Sequence, residues 1–220
     1  MPDEPFDPLS KSVLAEGIAN QLLKAEVHPL PPKTRFVGAG VYGLYYSGKF
    51  APYRKIISRT DEDIPPVPIY IGKAIPKGSR KGGVAKSGNA LFSRLSKHSV
   101  SIGHASNLEL RHFSCRYLVC DEAWITFCEA MLITRFQPLW NVFVLGFGIN
   151  APGGGRRGQK KSMWDTLHPG RPEAENLPPN DKTVSQLKKM VARFLEGKQQ
   201  PIVTPTEAVI EEDQESNESA

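Results

Sequence analysis

The sequence contains few cysteines and no long apolar segment. No stretch approaches the roughly 20 consecutive apolar residues that a membrane-spanning helix needs, so we expect no membrane partner. The three cysteines, Cys115, Cys120 and Cys128, form no Cys-x-x-Cys pair, which favours unpaired thiols in a reducing compartment and argues against a structural zinc site. The first ten residues, MPDEPFDPLS, are acidic and lack the apolar core of a secretory signal. These absences predict a cytoplasmic protein.

Most of the positive charge lies in the first 200 residues. The chain has 28 basic and 23 acidic side chains, and its formal net charge is +5. Six of the acidic residues lie in residues 201–220, which contain no Lys or Arg, so residues 1–200 carry 28 basic and 17 acidic side chains. This excess of positive charge in residues 1–200 favours a polyanionic partner. A basic surface that only contacts solvent is the alternative that composition alone leaves open.

The apolar periodicity predicts an α+β fold, in which helices flank a small antiparallel or mixed β-sheet. Helical spacing or helix-start signals occur in four segments: residues 9–26, 89–99, 122–136 and 183–195. Strand patterns occur in three segments: residues 41–47, 67–72 and 111–119. We expect the first two strands to pair in antiparallel orientation. For the helix 122–136, Asp121 is the expected N-cap, Trp124 and Leu132 lie on the expected apolar face, and Pro138 ends the helix.

Two tripeptides mark the first two strands, GVY at residues 40–42 and YIG at residues 70–72. Polar residues with catalytic chemistry follow in a defined order, and with the two tyrosines they form one set: Tyr42, Tyr70, Arg94, His98, Glu129 and Asn141. No member is specific alone, but the ordered set resembles the GIY-YIG nuclease family. The resemblance implies a phosphodiesterase site built from a Tyr on each of two strands, a helical Arg, one metal-binding carboxylate and a closing Asn.

Glu129 is the candidate metal ligand. It lies in the middle of a largely apolar helical segment, and a partly buried carboxylate is unfavourable without a partner. Mg²⁺ is a suitable partner, because it accepts one protein carboxylate while waters and phosphate oxygens fill its remaining positions. The alternative is a glutamate on the wet edge of an amphipathic helix. The resemblance implies that Glu129 is the sole protein ligand of Mg²⁺, for which Mn²⁺ should substitute.

The tyrosines, Arg94 and His98 are the candidate catalytic side chains. Arg94 and His98 are four residues apart and share a helix face; a guanidinium suits a phosphate that gains charge, and an imidazole moves protons near neutral pH. A Tyr hydroxyl loses its proton near pH 10. We therefore hypothesise that His98 draws the Tyr42 proton while Tyr42 takes the proton of the attacking water. Tyr70 would hydrogen-bond the phosphate or order that water, and the assignment of the base among the two tyrosines stays open.

Two further residues belong to the candidate site. Lys73 follows YIG, as a lysine often does in the family, and would bind a phosphate near the scissile group; a surface lysine is the alternative. Asn141 is expected to tie strands or loops beside the site. Arg and Lys read guanine O6 and N7 in the major groove or clamp phosphates. The basic, Gly-rich segments supply the other candidate DNA-binding residues: Arg80, Lys81, Arg156, Arg157, Lys160, Lys161 and Arg171.

The expected domain organisation has four parts. They are an N-terminal helical arm (1–35), a catalytic core (36–145) with basic insertions at 47–66 and 74–90, a basic DNA-recognition extension (146–200) and a disordered acidic tail (201–220). We expect no room for the long separate DNA-binding modules that repair and homing relatives append.

The chain resembles the type II restriction endonuclease branch of the family in three features. They are the lack of room for a separate DNA-binding module, the run SMWDTLHPGR at 162–171 and the WN pair at 140–141. The closest members of this branch cut the palindrome CCGCGG, so the resemblance implies a bacterial enzyme that acts on double-stranded DNA. Cutting both strands of a palindrome calls for a homodimer, with residues 9–26 or 183–195 as candidate interfaces. For residues 9–26, a helix that packs on the protein's own core is the favoured alternative. A repair or structure-specific nuclease and a non-catalytic DNA-binding protein are the alternatives.

Overall fold

The computed structural model describes residues 10–57, 67–76, 88–148, 159–205, 207 and 208. Within these ranges the chain forms eight α-helices and four β-strands, and the α+β class expected from the sequence is confirmed. The helices are α1 (Lys11–Lys24), α2 (Arg54–Ile57), α3 (Ala90–His104), α4 (Glu122–Phe136), α5 (Leu139–Val142), α6 (Met163–Leu167), α7 (Pro172–Glu175) and α8 (Val184–Leu195). The strands are β1 (His28–Pro29), β2 (Gly40–Tyr46), β3 (Tyr70–Ala74) and β4 (Phe113–Val119).

The four strands form one antiparallel sheet in the order β1-β4-β2-β3. Strand β2 is central, and all seven of its residues are buried, as expected for an aromatic and apolar segment between two neighbours. The predicted antiparallel pairing of β2 with β3 is confirmed, and its register places Tyr42 opposite Gly72. On the other side of β2, Tyr42 lies opposite Tyr117 of β4. The sheet therefore brings both marked tripeptides side by side.

Helix α4 begins and ends where its sequence signals predict. The Asp121 side chain accepts a hydrogen bond from the Ala123 N–H, and the helix ends at Gln137, which adopts φ 43° before Pro138. The predicted apolar face is wrong in part, because Trp124 is 60% exposed. The buried stripe instead contains Ile125 and Glu129 and continues to Leu132, at the i, i+4, i+7 spacing of one helix face.

Helices α1 and α8 bury their apolar faces within this chain. Helix α1 buries Ala15, Ala19 and Leu22 and packs on α4 and β4. Helix α8 begins with a capping box between Thr183 and Gln186, and its buried residues pack against α6 and the turn at residues 51–53. Both helices were candidate dimer interfaces, and any such interface would have to use their outward, polar faces.

Residues of the insertion after β2 and of the C-terminal extension contact each other in the hydrophobic core. Tyr53 is fully buried, and its hydroxyl lies 2.6 Å from Nε2 of His168. The Trp140 indole N–H donates to the same hydroxyl at 3.0 Å, and Nδ1 of His168 lies 2.8 Å from Oδ1 of Asn107. These contacts join segments far apart in sequence. The described part of the insertion is therefore anchored in the core rather than a solvated loop.

The start of the predicted acidic tail also packs on the core. The backbone N–H groups of Ile202 and Val203 donate to the carbonyl oxygen of Val142, and Ala208 is buried. The expectation of disorder thus does not hold for these residues, because apolar side chains in this segment reach the core before the acidic run begins. Positions 206 and 209–220 lie outside the described residues.

Candidate active site

A buried tyrosine–histidine contact lies at the centre of the candidate site. The Tyr42 hydroxyl on β2 is 2.6 Å from Nε2 of His98 on α3. Burial, followed by the positive charges of Arg94, Arg171 and Lys97, lowers the pKa of His98 well below its usual 6.5. The imidazole is therefore neutral at pH 7, and a neutral ring has one nitrogen that can accept the Tyr42 proton. The structure brings together the two residues that the sequence placed in one proton path.

Tyr70 on β3 lies beside this pair. Its ring centroid is 6.3 Å from that of Tyr42 and 5.3 Å from that of His98. Gly72 makes this proximity possible, since a Cβ there would lie 2.7 Å from Cζ of Tyr42 and 3.0 Å from Cε1 of Tyr70. Any side chain at position 72 would therefore push against both rings.

Arg94 is joined to Tyr70 through a turn that the sequence did not single out. Nη2 of Arg94 donates a hydrogen bond to the Gly148 carbonyl oxygen at 3.2 Å. Gly148 has φ +81°, and a Cβ at this position would lie 2.6 Å from the Tyr70 hydroxyl. Phe147 precedes it, stacks on His98 at 4.8 Å and meets Tyr70 edge-on at 4.9 Å. The only sequence signal for this turn was the pair of glycines that flank Phe147.

Glu129 and Lys73 form a buried ion pair. The Lys73 Nζ is 2.7 Å from Oε2 of Glu129, and the side chains are 5% and 0% exposed. The interpretations of a surface lysine and of a glutamate on a wet helix edge are therefore wrong. Lys73 lies opposite Val41 in the β2–β3 pairing, one position from the Tyr42–Gly72 pair. Lys73 and Tyr42 thus lie at adjacent steps of one hairpin, and their side chains leave opposite faces of the sheet to meet Glu129 on α4 and His98 on α3.

In the part of the chain that is described, no three His, Cys, Asp or Glu side chains lie close enough together to share a metal ion. A metal ion in this region would therefore depend on very few protein ligands. A single carboxylate with water and phosphate oxygens is an arrangement that Mg²⁺ accepts, whereas Zn²⁺ requires three or four protein ligands.

Asn141 on α5 holds the middle of β3. Its Oδ1 accepts from the Ile71 N–H and its Nδ2 donates to the Ile71 carbonyl, both at 2.8 Å. The amide therefore satisfies both backbone groups on the outer edge of a strand that has no further β-neighbour among the described residues. Because Ile71 lies between Tyr70 and Gly72, this clamp sets the position of the tyrosine. Asn141 has the strand-tying contacts expected for it.

The candidate DNA-binding residues divide into two groups. Four of them lie outside the described residues: Arg80, Lys81, Arg156 and Arg157. Lys160 is exposed and forms an ion pair with Asp181, while Lys161 is half-buried and its backbone is held by Pro178 and Asn180. Both lysines stay candidates for contact with phosphates.

Arg171, another candidate DNA-binding residue, has its guanidinium donors engaged inside the protein. Its guanidinium is buried and donates from Nε and Nη2 to the Asp165 carboxylate at 2.6 and 2.8 Å. Nη2 also donates to the Gly146 carbonyl at 2.8 Å, and the group lies 4.6 Å from the Trp164 ring centroid. These contacts hold the guanidinium donors in the protein interior, where Arg171 stabilises the turn at Gly146. The donors are thus not directed at a DNA base or phosphate.

We expect Arg171→Ala to lower the free energy of unfolding by about 3–5 kcal/mol, because it leaves the Asp165 carboxylate buried without its cation. Chemical denaturation followed by fluorescence measures this change. Lys160→Ala is the matched control, since its ion pair with Asp181 is exposed to solvent and its loss should leave the stability nearly unchanged. If Arg171→Ala weakened DNA binding and left the stability unchanged, the result would indicate that Arg171 contacts DNA directly.

The two buried histidines predict a loss of stability in mild acid. Burial, followed by the charges of Arg171 and Lys188, lowers the pKa of His168 to about 3, and the pKa of His98 is also lowered. Below pH 6.5 the unfolded chain binds protons at both residues and the folded protein does not, so the free energy of unfolding should fall by about 1.4 kcal/mol per pH unit for each histidine. Denaturation between pH 7.5 and pH 5 tests this slope, and His168→Gln should remove about half of it. An equal slope in that variant would contradict the assignment.

The comparison with known families agrees with this geometry. A sheet that carries the two tyrosines, a helix that carries Arg94 and His98, and a buried glutamate define a nuclease of the GIY-YIG class. The sequence matches the family model described as the Eco29kI GIY-YIG domain over residues 34–195, and the chain belongs to this family of restriction endonucleases. Its substrate is therefore DNA. Comparison with curated proteins finds no match.

The matched region reaches beyond the motifs that carried the resemblance. It extends from the segment before β2 to the end of α8 and so includes residues 159–195 of the described C-terminal extension. No helix among the described residues is long and apolar enough to cross a membrane.

Proposed function

We propose that this protein is a Mg²⁺-dependent type II restriction endonuclease that hydrolyses both strands of double-stranded DNA at a GC-rich palindrome, with CCGCGG as the favoured site. The observation that carries the proposal is the buried Tyr42–His98 contact, in a chain of the Eco29kI GIY-YIG family. This contact provides a route for the proton that the attacking water must lose. The choice of CCGCGG rests on the resemblance of residues 162–171 and of the WN pair at 140–141 to the restriction branch.

Glu129 is the residue that would hold Mg²⁺. It fits this role because its carboxylate supplies hard oxygen ligands from a buried position on α4, next to the β2–β3 hairpin. When bound, the ion would supply a Lewis acid that polarises the scissile phosphate and stabilises charge on the leaving oxygen. Mn²⁺ should substitute, because it prefers similar oxygen ligands.

The protein side chains move the proton and orient the phosphate. His98 accepts the Tyr42 hydroxyl proton at Nε2, and the Tyr42 oxygen takes a proton from the attacking water. The water oxygen bonds to phosphorus while the bond from phosphorus to the leaving oxygen breaks, and that oxygen takes a proton from solvent. Arg94 stabilises the added negative charge on the phosphate. Tyr70 hydrogen-bonds the phosphate or orders the water.

The same proposal includes a homodimer and a basic DNA surface. Two active sites related by a two-fold axis match the symmetry of a palindrome. Lys160 and Lys161 are exposed or half-buried and can reach phosphates, and the four candidate residues outside the described ranges would add further contacts. Binding should therefore weaken steeply as salt increases, because each neutralised phosphate releases counterions.

Digestion of two plasmids tests the proposal. They differ only in one CCGCGG site, which the second plasmid carries as CCGAGG. With Mg²⁺, the first should yield one linear product whose sequenced ends fall within the site, and the second should stay uncut. A smear, or cleavage restricted to damaged or branched DNA, would favour a repair or structure-specific nuclease. If the sequenced ends fell reproducibly within another palindrome, the protein would still be a restriction endonuclease, and that palindrome would be its site instead of CCGCGG.

A further inference from the structure

The buried ion pair between Lys73 and Glu129 places a positive charge at the carboxylate that is assigned to the metal. The ammonium nitrogen is 2.7 Å from Oε2, which is a charge-assisted hydrogen-bonding distance. Both side chains are almost completely shielded from water. A carboxylate in such a position needs a compensating cation, and Lys73 provides one without any metal ion.

We propose that Lys73 is the resident counter-ion of Glu129 in the metal-free enzyme and that the divalent ion displaces it. The inference rests on the proposed function, because it takes Glu129 as the metal ligand. A divalent ion bound to this carboxylate would lie within a few ångströms of the ammonium, and like charges repel strongly where water is excluded. The lysine has a flexible four-carbon stem, whereas Glu129 belongs to a helix packed on the sheet, so the lysine is the group that moves.

The hairpin register indicates where the displaced ammonium goes. Lys73 directly follows Gly72, which lies opposite Tyr42, so its backbone is one residue from the proposed site. Its side chain leaves the opposite face of the sheet from Tyr42 and must turn around the edge of β3 to approach a bound phosphate. A DNA phosphate bound at that edge is the anion that would receive the released lysine. Lys73 would therefore bind the substrate phosphate only after it leaves Glu129.

This exchange couples the metal to the substrate. Without DNA, the ion must compete with the Lys73 ammonium for the Glu129 carboxylate, and this competition lowers its affinity. With DNA, the phosphate receives the lysine and the competition ends, so each ligand raises the affinity of the other by the same factor. The enzyme then assembles its complete site only on DNA.

Mn²⁺ binding in the absence of DNA tests the exchange, measured at pH 8 by calorimetry and by the paramagnetic signal of free Mn²⁺. Lys73→Met keeps an unbranched side chain and removes the charge, and it should bind Mn²⁺ at least about tenfold more tightly than the wild type. Lys73→Arg keeps the charge and should bind as weakly as the wild type. The rise in melting temperature on adding Mn²⁺ should be larger for Lys73→Met than for the wild type.

The outcomes separate this inference from the proposed function. If folded Lys73→Met binds Mn²⁺ no more tightly than the wild type, the proposed exchange is wrong. If Glu129→Gln loses Mn²⁺ binding in the same experiment, the assignment of Glu129 to the metal still stands. Unchanged Mn²⁺ binding by Glu129→Gln would overturn both. If Lys73→Met does not fold, Lys73→Gln removes the same charge with a polar side chain, and the same tenfold criterion decides.

Discussion

We expect Glu129→Gln to reduce the rate of DNA cleavage by on the order of a thousand-fold, while DNA affinity measured without metal stays nearly unchanged. A metal ion contributes several kcal/mol of charge stabilisation in phosphoryl transfer, and the amide removes the charge that would hold it. Single-turnover cleavage of plasmid DNA measures the rate, and mobility shifts without divalent ions measure the affinity. A rate within tenfold of the wild type would remove Glu129 from the metal site.

Glutamine is the informative replacement because of Lys73. Alanine would leave the lysine ammonium buried without a partner, at a cost of about 3–5 kcal/mol, and the loss of activity would then reflect unfolding. The amide oxygen of Gln can still accept from the ammonium. Glu122→Gln is the matched control, since Glu122 lies exposed in the first turn of the same helix and should change neither rate nor affinity.

The features that the sequence predicts well are those encoded by neighbouring residues. Asp121 and Pro138 bracket α4, and the observed helix runs over the expected residues because a cap and a helix-breaking proline act locally. The helix predicted over 183–195 also matches α8, which begins at a capping box formed by Thr183 and Gln186. Strand β2 was predicted from its aromatic and β-branched content, and its antiparallel pairing with β3 was expected for two successive strands.

The features that the sequence did not reveal depend on distant contacts. Helix α4 is apolar on most of its circumference, so periodicity could not show that Trp124 faces solvent while Glu129 faces the core. Helix α3 continues to His104, five residues past its expected end. Arg171 belongs to a basic run, and only the folded chain shows that Asp165 takes its charge.

The extension after Asn141 is part of the catalytic scaffold as well as a candidate DNA-binding region. Trp140 packs on Phe147 at 4.4 Å, and Phe147 stacks on His98. Trp140 also donates to Tyr53, which contacts His168 of the extension. A continuous aromatic chain thus connects the extension with the proton path. The family match over residues 34–195 includes every residue of this chain of contacts.

We expect Gly72→Ala to reduce the cleavage rate by about a hundredfold, an effect that a displacement near 1 Å can produce in an oriented site. A Cβ at this position would lie 2.7 Å from Cζ of Tyr42 and closer still to its hydroxyl oxygen. The Tyr42 ring is fully buried, so its hydroxyl can yield only by leaving the 2.6 Å contact with His98. The proton path is broken although every catalytic side chain is present.

The matched control for this substitution is Gly103→Ala. Gly103 lies on α3, the helix that carries His98, and an added Cβ there meets no heavy atom within 4 Å. Alanine should stabilise that helix by about 0.5–1 kcal/mol and leave the rate unchanged. Gly72→Ala should lower kcat at nearly constant DNA affinity, because the clash falls on the tyrosines and not on the basic surface. A wild-type rate in Gly72→Ala would mean that the Tyr42 hydroxyl does not need its position beside His98, and Tyr70 would then become the candidate base.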